Sequence, residues 1–366
     1  MPTKQLSLME EVVPSKKIKP KYAKPYEYDH KELVMRVLLC GMGTQSITLA
    51  YMAALGIIDV DLILFSDTGL ESKLTLIYEE EVFAPEMERA QMSYYRLYRT
   101  QYVQWARMAP GFIARRKEYG IRYSFPFWTS GEISPVDEHG FVTEYIRKDD
   151  NKKPGRLSRQ CTQEAKIYGN TRMLRRQLLD MGHANMTRDG RILINKDVYI
   201  ETIYGITTDE RIRATAKGTN KTPRSNSWQK ATYPLLDMDM SRDDCIRWLM
   251  QNDYEVPAKS ACFMCPYRND ASWLAMKEME YPYDDVFHIP GDFTAACNFE
   301  RMMNNRKWRK GTALEKVSSD VFLHQACVPL AEADFTPQND KPYSLFEDEL
   351  IDTCRTDGGF VCGLWL

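Results

Sequence analysis

The residues best placed to do chemistry fall at the ends of two short apolar runs. Val34 to Leu39 is strand-like and runs into Gly41-Met42-Gly43-Thr44-Gln45-Ser46, after which Ile47 to Leu55 reads as a helix ended by Gly56. A glycine turn between a strand and a helix lets backbone N–H groups and the helix N-terminus converge on a phosphate without side-chain obstruction, and Ser46 can add a hydroxyl. The competing reading is a tight turn that needs glycine for backbone reasons alone. The loop lacks the Gly-Lys-Ser/Thr ending of a Walker A loop and the full dinucleotide fingerprint. A second run, Val60 to Phe65, leads into Ser66-Asp67-Thr68-Gly69-Leu70-Glu71. An acid at a strand's carboxyl end sits where open α/β sheets bind ligands, or it simply caps the next helix.

The elements that must position these loops follow from periodicity. Strand, turn and helix, then strand, turn and helix again over Leu74 to Phe83, is the alternation of a parallel sheet with crossover helices, and near-continuous apolar strands fit its doubly covered interior. The expected fold class is α/β: a mostly parallel twisted sheet with helices on both faces, plus a smaller Cys-containing C-terminal subdomain. Further strand and helix signals are Val198 to Ile206 and a helix from Ser241 through Met250. Ser241-Arg242-Asp243-Asp244 has capping-box form, and Ile246, Leu249 and Met250 supply apolar spacing. The expected organisation is a basic extension over 1–32, a nucleotide-binding domain over 33–256 and a Cys-rich subdomain over 257–366 that packs on it. No internal repeat is visible.

Composition narrows the class. The chain has 366 residues, 49 Lys+Arg against 51 Asp+Glu, 43% hydrophobic residues and a net charge of −2, which suits a folded chain with a sizeable core rather than a disordered one. No apolar run reaches the roughly 18 residues of a membrane helix, and Arg36 splits the first apolar run, so neither a membrane span nor a secretory signal is expected and cytoplasmic placement is. The near-neutral total hides uneven charge. Ser15 to Tyr26 is Lys-rich without an acid, Arg89 to Arg122 interleaves Arg and Lys with Tyr, Trp and Phe, Arg211 to Leu236 has no acid, and Ala331 to Asp352 is acidic. Basic stretches mixed with aromatics suit phosphate backbone and stacked bases; ordinary helices with Arg on the wet face are the alternative.

There are nine cysteines, an odd number, and one tight pair, Cys262 and Cys265. A disulfide framework is disfavoured; a Cys-x-x-Cys pair in a reducing compartment more often binds metal or does redox chemistry, while the scattered cysteines read mostly as small core residues, and uncoordinated thiols throughout are the alternative. None of the five histidines, His30, His139, His183, His288 and His324, stands at metal spacing or beside a plausible nucleophile.

In order along the chain, these pieces resemble the phosphoadenosine phosphosulfate (PAPS) reductase-like group of the PP-loop ATP pyrophosphatase superfamily. Gly41 to Ser46 is similar to the PP-loop pattern Ser-Gly-Gly-x-Asp-Ser, and Phe65 to Glu71 to the second motif. Arg159-Gln160-Cys161-Thr162 with Lys166 and Arg172, Gly205-Ile206 with Asp209, Glu210 and Arg213, Tyr233-Pro234-Leu235-Leu236-Asp237, and Ser260-Ala261-Cys262-x2-Cys265-Pro266-Tyr267 continue the match. The resemblance implies ATP or PAPS held by Gly41, Gly43, Thr44, Gln45 and Ser46, with Asp67, Thr68, Gly69, Arg172 and Arg213 facing the nucleotide. It implies catalytic roles for Ser46, Asp67, Lys166 and Arg211, and cleavage at the α-phosphate. It departs from the pattern at Gln45, where the family has Asp, which weakens a Mg²⁺ requirement, and at Met42, where it has glycine.

It also implies an iron–sulfur cluster or Zn²⁺ on Cys161, Cys262, Cys265 and a further thiol, Cys354 being the choice, with Cys245 and Cys362 as others. The tail around Cys362 is partly similar to the Glu-Cys-Gly-Ile/Leu-His tail of sulfonucleotide reductases but lacks its Glu and His. The leading expectation is adenylylation with pyrophosphate release, for sulfur transfer to, or modification of, a nucleic acid, with a sulfur-donor protein as a further partner. The alternatives are PAPS reduction through Cys362 and a metal-stabilised nucleic-acid-binding protein with a non-catalytic nucleotide loop. The sequence leaves the oligomeric state open.

Overall fold

A computed structural model describes residues 27–98, 126–149, 151–157, 166–215, 225–278, 291–310 and 313–336. The basic segment over 15–26, most of the Arg/Tyr-rich stretch, Cys161, Cys354 and Cys362 lie outside the described residues.

In chain order the N-terminal half runs β1 (Glu32–Cys40), α1 (Thr44–Ala54), β2 (Leu62–Asp67), α2 (Lys73–Tyr78), a π-helical segment (Glu79–Phe83), α3 (Ala84–Arg89) and β3 (Tyr94–Tyr98). Short strands β4 (Trp128–Thr129) and β5 (Gly155–Arg156) follow, then α4 (Tyr168–Asp180), the hairpin β6 (Ala184–Met186) and β7 (Ile192–Ile194), and β8 (Val198–Ile203). The rest comprises α5 (Arg211–Thr215), β9 (Gln229–Thr232), α6 (Pro234–Asp237), α7 (Arg242–Gln251), α8 (Asp270–Glu278), α9 (Asp292–Asn304), α10 (Arg306–Arg309) and β10 (Val321–Phe322).

The main sheet has the order β3-β2-β1-β8-β9, and every pairing in it is parallel. The expected α/β class with helices on both faces is what forms. The cause is visible in β1, whose residues alternate between two cores: Leu38 and Cys40 pack with α1, α7 and Phe83, while Met35, Val37 and Leu39 pack with Leu174 and Leu178 of α4. A strand buried on both sides must be apolar at every position, which is why its sequence shows no alternation. Helix α1 is buried from Thr44 to Ala53, consistent with its place under the sheet.

Two expectations need correction. The single helix expected over Leu74 to Phe83 is an α–π–α succession that continues to Arg89. In α7 the capping box at Ser241 forms as expected, but the buried face is Arg242, Cys245 and Leu249. Met250 is 64% exposed, because Cys245 takes the inward position that apolar counting alone gave to Met250.

A third core lies beside the sheet. Trp273, Phe293, Phe299, Met303, Val321 and Leu330 form its centre, with Leu70 and Phe127 joining from earlier in the chain. It thus draws residues from both sides of position 257. Strands β10, β4 and β5 make a small antiparallel sheet over it.

Candidate nucleotide crevice

The pairing Cys40↔Phe65 sets the ends of β1 and β2 level, so the glycine loop and the acidic loop leave the sheet on one rim, as the sequence reading requires. The sheet order adds a partner. Strands β1, β2 and β3 wind one way and β8 and β9 the other, so the order reverses between β1 and β8. Crevices that take ligands form at such a reversal, beyond the carboxyl ends of the strands. Leu38↔Ile203 places Gly205 opposite the start of the glycine loop. A Cβ on Gly205 would lie 2.9 Å from Ser46 N and 3.0 Å from Gln45 C, so only glycine admits the backbone of α1 this close to β8.

The loop is held by its own groups. Gly41 N donates to Ser46 Oγ at 3.2 Å, and Ser46 Oγ donates to the Gly43 carbonyl at 3.0 Å. Met42 adopts φ of 57°, a left-handed conformation that costs a non-glycine residue roughly 1 to 2 kcal/mol. Its side chain is buried in the core beneath α1, which explains how Met stands where the resembling family has glycine. Gly43 is the N-cap of α1, and among the described residues no side chain caps the helix. Gln45 and Thr44 are buried.

On the β8 side, Glu210 and Arg213 form a buried ion pair. Burial pushes the Glu210 carboxyl up while Arg213 pulls it back, so the charge expected from Arg213 is neutralised inside the protein. Sequence reasoning missed the cation that does reach the loop: Arg242 places its guanidinium 3.3 Å from Thr44 Oγ1, and its own N–H donates to Asp209 Oδ2 at 2.7 Å. Burial lowers the Arg242 pKa, opposed by Glu210. Its signal was the capping box, which starts α7 at this residue. Arg211 is exposed and paired with Asp239 at 3.1 Å. Arg172 is exposed on α4.

On the β2 side, Asp67 accepts from Gly69 N through Oδ1 at 2.7 Å and from Arg96 through Oδ2 at 2.8 and 3.1 Å. Arg96 also binds Glu79 and Glu80. Both Asp67 oxygens are thus engaged in shaping the loop, and the described residues do not fit a dedicated Mg²⁺ site there. Glu71, at the end of the second motif, is buried, accepts from Thr68 Oγ1 at 2.9 Å and lies 3.5 Å from Lys166 Nζ.

One segment touches both loops. Ser260 Oγ donates to the Gly41 carbonyl, Ser72 N donates to Ala261 O at 3.2 Å and Phe263 N to Leu70 O at 2.9 Å. The segment then turns through Cys262 and Cys265, with Cys265 N donating to Cys262 O at 3.2 Å. Arg268 donates to the carbonyls of Ala261 and Cys262. The two thiols sit at the spacing of half a tetrahedral thiolate site, and the partners expected for them, Cys161 and Cys354, lie outside the described residues. Cys245 is not with them. It is buried under α1, where burial pushes its thiol up to about 12. Among the described residues no group of three or more His, Cys, Asp or Glu could hold a metal ion, and no helix is long and apolar enough to cross a membrane.

Fold and rim together define an α/β protein whose glycine and acidic loops share one rim at the reversal point of a parallel sheet. No family model matches the chain, and no curated protein matches it. Among solved structures it is similar to U34-tRNA thiolase NcsA from Methanococcus maripaludis with its 4Fe-4S cluster, at 10% identity and a TM-score of 0.32, over 92% of this chain and 86% of that one. At that distance the likeness says nothing of this chain's chemistry.

Proposed function

We propose that this chain is an enzyme that binds an adenine nucleotide at the Gly41–Ser46 loop and acts at its α-phosphate. An acceptor oxygen attacks the α-phosphorus, the bond to the bridging oxygen of the β-phosphate breaks, pyrophosphate leaves, and the acceptor carries the adenylate. AMP is then a good leaving group for displacement by a nucleophile, a sulfur donor being the class the resemblance suggests. The observation that carries the reading is the α1 N-terminus without a side-chain cap, opening at the sheet's reversal point with β8 pressed against it. Fixed N–H donors aimed where charge develops are what phosphoryl chemistry asks of a protein.

In this reading Gly41, Gly43 and Thr44 hold phosphate oxygens, Ser46 and Asp67 fix the two loops, and Lys166, two residues before α4, exchanges part of its pairing with Glu71 for a phosphate oxygen. Arg242 supplies positive charge from α7. A cluster or Zn²⁺ on Cys262 and Cys265, with Cys161 and Cys354, would supply thiolate-bound metal chemistry beside the crevice. A nucleic acid as the acceptor is supported by composition alone, through the Lys-rich segment over 15–26 and the Arg/Tyr-rich stretch.

The test is titration with ATP followed by a pyrophosphate-release assay with nucleic acid as acceptor. ATP binding and pyrophosphate release are expected, and Lys166→Met should lower the release rate by about 100-fold, the scale of losing one charge-stabilising donor, with the circular dichroism spectrum unchanged. A chain that binds no ATP would sink the proposal.

A further inference from the structure

Three polar groups just below the rim are buried without a hydrogen-bond partner among the described residues: Ser66 Oγ, Glu71 Oε2 and both amide atoms of Asn170. Ser66, Glu71 and Asn170 are 0%, 4% and 3% exposed. Unpaired buried polar atoms are rare in native folds and ask for an explanation.

The three converge on one place. Ser66 follows Leu64 by two residues on β2 and therefore shares its face of the sheet, the face covered by Leu174 and Leu178 of α4. Cys40↔Phe65 makes Ser66 level with Gly41. On α4 the buried stripe is Asn170, Leu174 and Leu178, spaced by four. Lys166, one turn before Asn170, reaches Glu71 on the rim loop, so α4 starts at the rim and descends along the sheet. Asn170 thus lies on the face of the sheet that Ser66 shares, in the stretch of chain between Lys166, which pairs with Glu71, and Leu174, which shares a core with Leu64.

We infer that Asn170, Glu71 and Ser66 form the base-reading pocket of the crevice and select adenine. The inference rests on the nucleotide reading above. A side-chain amide offers a donor beside an acceptor, which matches the adenine edge where a ring nitrogen accepts next to an amine that donates. The amine's second hydrogen meets Glu71 Oε2. Guanine sets a carbonyl oxygen where adenine has the amine, and that oxygen would face the Glu71 carboxylate. A site with buried hydrogen-bonding groups rejects a ligand that leaves them unpaired.

The experiment measures binding of ATP, GTP and inorganic tripolyphosphate to the full chain and to Asn170→Leu and Glu71→Gln, with the melting temperature of each protein without ligand. The wild type should prefer ATP to GTP by at least tenfold. Asn170→Leu should weaken ATP about tenfold or more, leave tripolyphosphate binding unchanged and raise the melting temperature, since it replaces an unpaired amide by a hydrocarbon. Glu71→Gln should narrow the ATP/GTP ratio. Unchanged ATP affinity in Asn170→Leu, or equal loss of ATP and tripolyphosphate, overturns the pocket. A wild type that binds tripolyphosphate and does not discriminate bases removes the pocket and spares the phosphate loop; one that binds neither ATP nor tripolyphosphate removes the nucleotide reading and the pocket with it.

Discussion

The rim of the parallel sheet and the core around α9 both bury charged and amide side chains, but they treat them differently. Around α9 the charged and amide groups are met. Glu300 accepts from Leu323 N and Leu330 N at 2.6 and 2.7 Å. Arg309 donates to the carbonyls of Met303 and Ser319 and to Asn304 Oδ1 at 2.7, 2.7 and 2.8 Å. Asp320 takes Ser134 N at 3.0 Å, the Ser134 hydroxyl and Arg306. The exceptions among described residues are single N–H groups of Arg268, Trp273 and Trp308. At the rim, Ser66, Glu71, Asn170 and Thr207 bury oxygen or amide atoms that nothing described meets. Each such atom costs about 1 to 3 kcal/mol, a cost that a bound ligand offsets in the proposed reading. Unmet buried atoms also occur at Thr75, Arg175, Thr202 and Thr232, so it is the grouping of Ser66, Glu71 and Asn170 by the rim that sets this region apart.

The largest expected effect tests the satisfied half of this contrast. Asp320→Ala leaves the Arg306 guanidinium and the Ser134 N–H without their acceptor, and breaking a buried pair from one side costs roughly 3 to 5 kcal/mol. Denaturant unfolding should show that loss. A change under about 1 kcal/mol would mean the satisfied network is not structural, and the contrast fails.

Next in size is a pH dependence confined to the same core. Burial raises the Glu300 carboxyl to about 7 from 4.5, with its two backbone N–H partners opposing and Glu332 adding to the rise. A folded pKa above the unfolded one means the contribution is fully present below about pH 4.5 and is lost as pH rises through about 7. The full span is about 3 kcal/mol. Unfolding measured from pH 4.5 to 8 should show that decline in the wild type relative to Glu300→Gln, whose neutral amide does not titrate. Parallel curves for the two proteins would remove the raised pKa.

How much of this was legible in the sequence divides along the same line. The β1–α1–β2 unit was readable because each strand is buried on both faces and its turn is short, so the apolar runs and Gly41, Gly43 and Gly56 mark its ends locally. The capping box at Ser241 was readable for the same reason. That β8 lies beside β1 was not, since strand order is set by packing between segments more than 150 residues apart, and with it went the role of Gly205 as the point of closest approach. The pairing of Arg213 with Glu210 follows helical i,i+3 spacing and was open to a sequence reading, whereas the pairing of Asp67 with Arg96 joins two neighbouring strands, whose proximity no spacing rule encodes. Glu71 ends the second motif and Asn170 lies four residues beyond Lys166, but burial without a partner is a property only the packed chain has.

The smallest effect separates the rim's phosphate side from its base side. Ser260 Oγ donates to the Gly41 carbonyl, while its neighbours pair with Leu70 and Ser72, so this segment ties the glycine loop to the acidic loop from outside the sheet. Ser260→Ala removes one hydrogen bond, worth about 1 kcal/mol net, and frees the carbonyl of the loop's first glycine. That energy corresponds to about a fivefold weaker grip on ATP and on tripolyphosphate alike. The ATP/GTP ratio should not move, because the tie acts on the loop and not on Asn170 or Glu71. If Ser260→Ala instead lowers the ratio and spares tripolyphosphate, the two sides of the rim are not independent, and the base and phosphate sites must be read as one.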